Sequence, residues 1–164
     1  MPEPLHGFRS ILLPVPEVER LVDPFRRAGD WSRERGVPAH MTIAGPWPLE
    51  VELPVDALAA VASELRGTRF ELGSVGALGA SLCLFPPDDA TLLAWRRRAL
   101  AAIGSPDRLD DAWRLHLTIR RDEPTSAETD TKRTVARSLP IACEVRAVLI
   151  AELDEAGRVS LRPL

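Results

Sequence analysis

The sequence predicts an α+β fold of two similar lobes, related by a pseudo-twofold axis, with a central cleft between them. Strand-like and helix-like segments alternate along the chain. Residues 10–16, SILLPVP, are similar to residues 81–87, SLCLFPP, and each stretch is followed by a helical segment with consecutive arginines and then by a His-apolar-Thr-Ile strand. An internal duplication explains these observations. The 164 residues are therefore expected to form a single bilobal domain, with repeats at about residues 8–79 and 80–164.

The first repeat is predicted to alternate strands with helices. The strands are expected at residues 8–15, 39–44 and 68–75, and the helices at residues 16–27 and 54–65. Pro16 and Pro54 suit the first turn of a helix, where no backbone N–H is needed. The Gly45-Pro46 pair is expected to end the second strand.

The second repeat is predicted to follow the same order. The strands are expected at residues 81–85, 115–120, 141–153 and 159–161, and the helices at residues 87–103 and 125–139. Thr125 and Glu128 form a capping box at the start of the last helix. The glycine-rich segment 73–79 is expected to join the lobes, because it lacks a phosphate-binding fingerprint.

Composition restricts the class of protein. Hydrophobic residues make up 45% of the chain, which is typical of a folded domain, and no stretch approaches the roughly 18 apolar residues of a membrane span. The first residues carry no cleavable signal, so we expect a cytoplasmic protein without a membrane partner, and a monomer. A net charge of −3 argues against broad double-stranded nucleic-acid binding. Cys83 and Cys143 are expected to be small buried residues, with no disulfide, metal or cofactor.

Two of the three histidines stand in the same pattern, His40-Met-Thr-Ile and His116-Leu-Thr-Ile, 76 residues apart. Because side chains alternate across a strand, each histidine would share a face with Thr42 or Thr118 while the apolar residues point into the core. The pseudo-twofold axis would make the two pairs face each other. One imidazole as base and one as acid suit the breaking of a phosphodiester. The hydroxyls would bind phosphate oxygens, and no metal is required.

These paired motifs resemble those of the two-histidine (2H) phosphoesterase superfamily, which includes bacterial 2′-5′ RNA ligase-like proteins and cyclic nucleotide phosphodiesterases. The stretches GVPAHMTIAGPW, from Gly36, and WRLHLTIRR, from Trp113, carry the resemblance, although Leu115 stands where many members have proline. The resemblance covers nearly the whole chain. It implies two lobes, each an antiparallel β-sheet with flanking helices, and motifs that face a central groove. It also implies action on 2′,3′-cyclic phosphates, ADP-ribose cyclic phosphate or 2′-5′ linkages, by hydrolysis or ligation, and leaves open which histidine is the base.

Three further residues are candidates for binding a nucleotide or an RNA-terminus phosphate. Strand alternation places Arg120 on the face of His116, whereas the resemblance points to Arg121, because ligase-like members often carry arginine five residues after the histidine. Either would suit a phosphate. Trp47 would stack on a base at the cleft mouth or pack in the core.

Other interpretations remain open. A module of the same fold would bind a nucleotide or an RNA end without turnover. A metal site would need further ligands, and Asp110 and Asp111 are the nearby carboxylates in the sequence. The run from Arg96 to Arg98 is expected to lie on a solvated helix face.

Overall fold

A computed structural model describes residues 7–27, 30–104, 113–121 and 125–164, with only the backbone for residues 125–129. The strands are β1 (Phe8–Pro14), β2 (His40–Pro48), β3 (Arg69–Leu72), β4 (Ser74–Leu78), β5 (Ser81–Phe85), β6 (Leu117–Arg121), β7 (Ile141–Glu144), β8 (Leu149–Leu153) and β9 (Val159–Pro163). The helices are α1 (Glu19–Arg26), which follows a 3-10 turn at Pro16–Val18, α2 (Trp31–Glu34), α3 (Val55–Leu65), α4 (Ala90–Ile103) and α5 (Thr125–Ala136).

The same order of elements occurs twice. The first series is β1-α1-β2-α3-β3-β4 and the second is β5-α4-β6-α5-β7-β8, while α2 and β9 are additions. The large antiparallel sheet has the order β4-β5-β6-β2-β1-β8-β9, and β3 pairs with β7 in a second sheet. Apart from β9, this order is symmetric about the boundary between β6 and β2. The predicted α+β fold of two lobes related by a pseudo-twofold axis is confirmed.

The core lies between one face of the large sheet and the helices. Fully buried side chains come from the central strands, such as Met41, Ile43 and Leu117, and from α3 and α4, such as Leu58 and Ala99. Burying each large aliphatic side chain contributes about 1.5–3 kcal/mol. The apolar side of the predicted strands thus packs inward, which leaves the opposite face of β2 and β6 for polar residues. No helix in the described ranges is long and apolar enough to cross a membrane.

Two segments that were predicted as single strands each divide between the two sheets. Residues 68–75 form β3 and the start of β4, and residues 141–153 form β7 and β8. In both repeats the first strand joins the small sheet and the second joins the large one. The predictions are wrong because apolar residues suit either sheet, and their periodicity does not record where the chain changes sheet. The segment 73–79, predicted as a linker, contains the whole of β4.

Strand β2 also continues through Gly45-Pro46, where the sequence predicts its end. The pairing of β1 with β2 shifts register at this place, and such a bulge accommodates a proline that cannot donate a ladder hydrogen bond. Gly45 has a φ of 102°. A Cβ at this position would lie 2.9 Å from the hydroxyl oxygen of Ser10 on β1. The close approach of β1 therefore requires glycine here.

Candidate functional site

Strands β2 and β6 meet at the centre of the large sheet, where Met41 pairs with Leu117. These two residues are 76 positions apart and hence equivalent in the repeat, so the pseudo-twofold axis passes between them. Both are fully buried. Because side chains alternate along a strand, the residues on either side of them point to the opposite face. That face carries four half-buried residues: His40, Thr42, His116 and Thr118. We call this face the groove, after the central groove that the family resemblance implies.

The register of β2 and β6 sets the spacing within the groove. Continuing it by one residue in each direction places His40 across from Thr118 and Thr42 across from His116. Directly opposed residues in an antiparallel pair have Cβ atoms about 4.5–5.5 Å apart, and diagonal neighbours are about 7–8 Å apart. The two imidazoles are diagonal neighbours. Their side chains therefore start close enough together for both to reach one small group placed between them.

Both histidines are oriented by the same hydrogen bond. Nδ1 of His40 donates to the carbonyl oxygen of Pro38 at 2.8 Å, and Nδ1 of His116 donates to the carbonyl oxygen of Arg114 at 2.8 Å. In each case the acceptor lies two residues before the histidine. A hydrogen bond from Nδ1 assigns the neutral ring to the tautomer whose Nε2 carries a lone pair. Nε2, the nitrogen remote from the backbone, is thus the one left available to a ligand in each motif.

His40 has a poorly hydrated imidazole, although part of the residue remains exposed. Loss of hydration lowers the pKa of His40 from 6.5 to about 4. The hydrogen bond to Pro38 opposes this change, the charge of Arg26 adds to it, the carboxylate of Asp30 opposes it, and the charge of Arg121 adds to it. His40 is therefore neutral at pH 7.

His116 has a different set of neighbours. The ring of Phe85 lies against it, with the ring centroids 6.5 Å apart. The guanidinium of Arg114 in turn lies 3.8 Å above the centroid of the Phe85 ring. The imidazole of His116 thus lies beside an aromatic ring that stacks on a cation, whereas the imidazole of His40 is poorly hydrated.

A buried network fixes the segment that precedes His40. Arg26 is only 1% exposed. Its guanidinium donates to the carboxylate of Asp30 (Nε to Oδ2, 2.8 Å) and to the carbonyl oxygen of Val37 (Nη2 to O, 3.0 Å). The carboxylate of Asp30 also accepts a hydrogen bond from a backbone N–H in the first turn of α2. The sequence does not predict this short helix. The network thereby holds the backbone leading to Pro38, whose carbonyl orients His40.

Arg96 makes comparable contacts around the second motif. Its side chain is fully buried, and Nη1 donates to the carbonyl oxygen of Ile43, next to Thr42, at 2.7 Å. Its guanidinium lies 3.8 Å above the indole ring of Trp113, three residues before His116. Arg96 therefore connects the backbone of one motif with the approach to the other.

Arg26 and Arg96 lie on the equivalent helices α1 and α4, and each contacts the residue three positions before its histidine, Val37 or Trp113. The prediction that the α4 arginines lie on a solvated face is wrong for Arg96, because consecutive helix positions point in different directions and this one enters the core. The sequence signal for both residues is the occurrence of consecutive arginines at the same place in the two repeats.

A β-bulge distinguishes Arg120 from Arg121. Between Thr118 and Arg120, strand β6 has one residue more than its partner β5, so the alternation of its side chains reverses. Arg120 lies across from Leu82, whose side chain belongs to the core. Arg121 is exposed on the groove face, and its charge contributes to the lowered pKa of His40. The structure brings Arg121 towards the histidines and leaves Arg120 on the other face.

Trp47 lies near the far end of β2, seven residues from His40. Seven residues of extended chain span about 23 Å. Trp47 is 8% exposed and packs in the core. The structure therefore does not bring it to the groove.

Thr118 has a buried partner on the neighbouring strand. The thiol of Cys83 donates to its hydroxyl oxygen, with Sγ and Oγ1 4.0 Å apart. Burial raises the pKa of Cys83 to about 11, so the sulfur keeps its proton. Because the Thr118 oxygen accepts this contact, its own O–H is left to donate to a ligand in the groove. Cys83 and Cys143 are both buried and free, as predicted.

The part of the chain that the structure describes contains no cluster of three or more His, Cys, Asp or Glu side chains that could hold a metal ion. Asp110 and Asp111, which the metal interpretation would need, lie outside the described residues.

Known proteins share this architecture. A family model of the 2′-5′ RNA ligase superfamily matches residues 14–157. The crystal structure of E. coli LigT complexed with ATP is 15% identical, covers 96% of this chain and 95% of that chain, and gives a TM-score of 0.58. Structures of LigT with 3′-AMP and with NADP+ also match.

Two further structures extend the likeness. A crystal structure of a phosphoesterase is 18% identical, covers 96% of this chain and 95% of its own, and gives a TM-score of 0.57. A conserved protein of unknown function from Agrobacterium tumefaciens str. C58, ATU0111, is 15% identical, covers 95% and 84% of the two chains, and gives a TM-score of 0.54. At these identities the likeness shows the fold. A search of curated proteins finds no match.

Proposed function

The chain belongs to the 2′-5′ RNA ligase superfamily of two-histidine phosphoesterases and RNA ligase-like proteins, and we propose that it is a phosphoesterase acting on a cyclic or 2′-linked nucleotide phosphate. His40 and His116 are its general acid–base pair. The observation that carries the proposal is their equivalent placement on one groove face, each with Nδ1 bonded to the carbonyl two residues earlier. Such a pair presents two Nε2 atoms to one phosphate.

The proposed hydrolysis of a 2′,3′-cyclic phosphate needs two proton transfers. One histidine takes a proton from water as the water oxygen bonds to phosphorus. The other gives a proton to the ribose oxygen whose bond to phosphorus breaks. Because the low pKa of His40 keeps it neutral at pH 7, we assign it the role of base and His116 that of acid. In ligation, the 5′-hydroxyl of a second RNA takes the place of the water. The two histidines exchange roles when that reaction runs in the direction of cleavage.

Three side chains suit the phosphate oxygens. The hydroxyls of Thr42 and Thr118 lie on the histidine face and would donate to the non-bridging oxygens, where negative charge increases in the transition state. Arg121 adds a positive charge at the same face. Donors that are already in place stabilise the transition state without reorganisation, and two imidazoles can perform both proton transfers, so the proposed chemistry needs no metal.

A nucleotide is the proposed substrate class. The LigT structures that share this fold contain ATP, 3′-AMP or NADP+, which supports a groove suited to nucleotides. The half-buried histidines would engage the reacting phosphate, while the exposed rim admits the rest of the molecule.

The test is hydrolysis of a panel of 2′,3′-cyclic nucleotides, ADP-ribose 1′′,2′′-cyclic phosphate and 2′-5′ dinucleotides in the presence of EDTA. Wild-type protein is compared with His40→Ala and His116→Ala, and with His6→Ala as a control histidine that lacks the motif. We expect turnover of at least one class by wild type and His6→Ala, and loss in the other two variants of about a hundredfold or more.

Two results would contradict the proposal. Turnover that survives both motif substitutions would place the chemistry elsewhere. Saturable nucleotide binding without turnover of any substrate would favour a binding module of the same fold.

A further inference from the structure

The two sides of the groove differ chemically although the fold is duplicated. In the first repeat, 76 residues earlier, the positions equivalent to Arg114 and Arg121 are occupied by Pro38 and Gly45. The residue across from His40 on β1 is Pro14, whereas the corresponding neighbour of the second histidine is an aromatic ring. Strand β6 and the segment before it thus carry two cations, and the end of β5 beside them carries a phenyl ring. The equivalent positions on β2, the segment before it and β1 carry neither. A groove with one cationic side favours a ligand with more negative charge on that side.

Arg114 is held in a defined place beside the reacting groups. Its guanidinium lies 3.8 Å above the Phe85 ring, and that ring lies against His116. Burial raises the pKa of the Cys83 thiol and the charge of Arg114 opposes that effect, so the cation lies within electrostatic reach of the groove floor. Arg114 and His116 also share one face, because the buried Leu115 between them points the other way.

Arg114 differs from several exposed arginines of this chain, which form ion pairs. Arg27, Arg98 and Arg158 are each paired with a carboxylate at 2.6–2.8 Å. Within the described part of the chain, no carboxylate lies at ion-pair distance from Arg114. Stacking uses the flat face of a guanidinium and leaves the N–H groups along its edge, which match two oxygens of a phosphate.

We propose that Arg114, supported by Phe85, binds a second phosphate group of the substrate, so that the protein favours nucleotides with a further phosphate on the side of His116. This inference rests on the proposed function, since it takes the groove between the histidines as the site of the reacting phosphate. Arg121, at the other end of β6, is assigned to the reacting phosphate and not to the second one. Arg114 and His116 are two residues apart in the segment before β6, so their Cα atoms are at most roughly 7 Å apart.

The experiment compares binding of adenosine 2′-phosphate and adenosine 2′,5′-bisphosphate by calorimetry. The proteins are wild type, Arg114→Ala, Arg114→Lys, and Arg35→Ala as a matched control. Arg35 is also an exposed arginine over an aromatic ring, that of Trp31, with 5.6 Å between them.

Wild type is expected to bind the bisphosphate about 10-fold or more tightly than the monophosphate, as a charge-assisted contact provides. Arg114→Ala should reduce this preference to near unity, and Arg114→Lys should keep part of it, since lysine offers charge without the planar edge. Arg35→Ala should keep the wild-type preference.

Equal binding of the two nucleotides by wild type would overturn the inference, and so would a preference that survives in Arg114→Ala. The measurement does not depend on turnover. A protein that prefers the bisphosphate through Arg114 and hydrolyses nothing would contradict the proposed function alone.

Discussion

Replacing His40 with glutamine is expected to change how protein stability depends on pH. The pKa of His40 is about 4 in the folded protein, against about 6.5 in an unfolded chain. Between these values the unfolded chain binds more protons, so acid favours unfolding. The stability associated with neutral His40 is fully present above pH 6.5 and is lost as the pH falls towards 4.

The two pKa values give the size of the effect. Proton linkage through this one group lowers the free energy of unfolding by about 2 kcal/mol between pH 7 and pH 5. Because the residue is partly exposed and water lessens the desolvation, we expect about 1–2 kcal/mol in the experiment.

Urea unfolding at pH 7 and pH 5 measures the difference. From pH 7 to pH 5, the free energy of unfolding of the wild type should decrease by about 1–2 kcal/mol more than that of His40→Gln. His116→Gln is the matched control. Its free energy of unfolding should still show the decrease between pH 7 and pH 5 that His40 causes. Equal losses in wild type and His40→Gln, within about 0.5 kcal/mol, would refute the desolvation of His40.

Three other predictions test the site and the backbone that supports it. If His40 is the base, kcat/KM for hydrolysis should fall on the acid side with an apparent pKa near 4 to 5, because this profile reports the free enzyme; a fall centred near 6.5 would contradict the assignment. Arg26→Ala should lower the free energy of unfolding, measured by urea titration, by about 3–5 kcal/mol, because it leaves the buried carboxylate of Asp30 unpaired. The control Arg27→Ala, which removes an exposed ion pair, should lower it by under about 1 kcal/mol. Gly45→Ala should lower the free energy of unfolding by about 2–4 kcal/mol, because residue 45 has a positive φ and its Cβ would contact β1. The control Gly36→Ala should lower it by about 1–2 kcal/mol, because that position has a positive φ but nothing within 4 Å of the added Cβ. Equal urea midpoints for the two variants would refute the close approach of β1.

The centre of the site could be predicted from the sequence because it depends on local alternation and on the repeat. His40 and His116 each precede a buried residue, and alternation alone places both imidazoles opposite the core. The equivalence of Met41 and Leu117 follows from the repeat spacing. The single pairing that joins β2 to β6 then brings the motifs together.

Other features depend on contacts between distant segments. The extra residue in β6 that moves Arg121 to the groove is defined only by its pairing with β5. The burial of Arg96 depends on a carbonyl on β2 and on the indole of Trp113. The low pKa of His40 depends on groups from α1, the segment before β2, and β6. No local pattern in the sequence reports these contacts.

The central claim is that His40 and His116 act together on one phosphate. The most direct measurement is kcat for the best cyclic or 2′-linked substrate with wild type, His40→Ala, His116→Ala and the double variant. Groups that act as a unit give non-additive losses, so each single substitution should reduce kcat about as much as the double one. Independent losses that multiply in the double variant, or a single variant with wild-type kcat, would contradict the account.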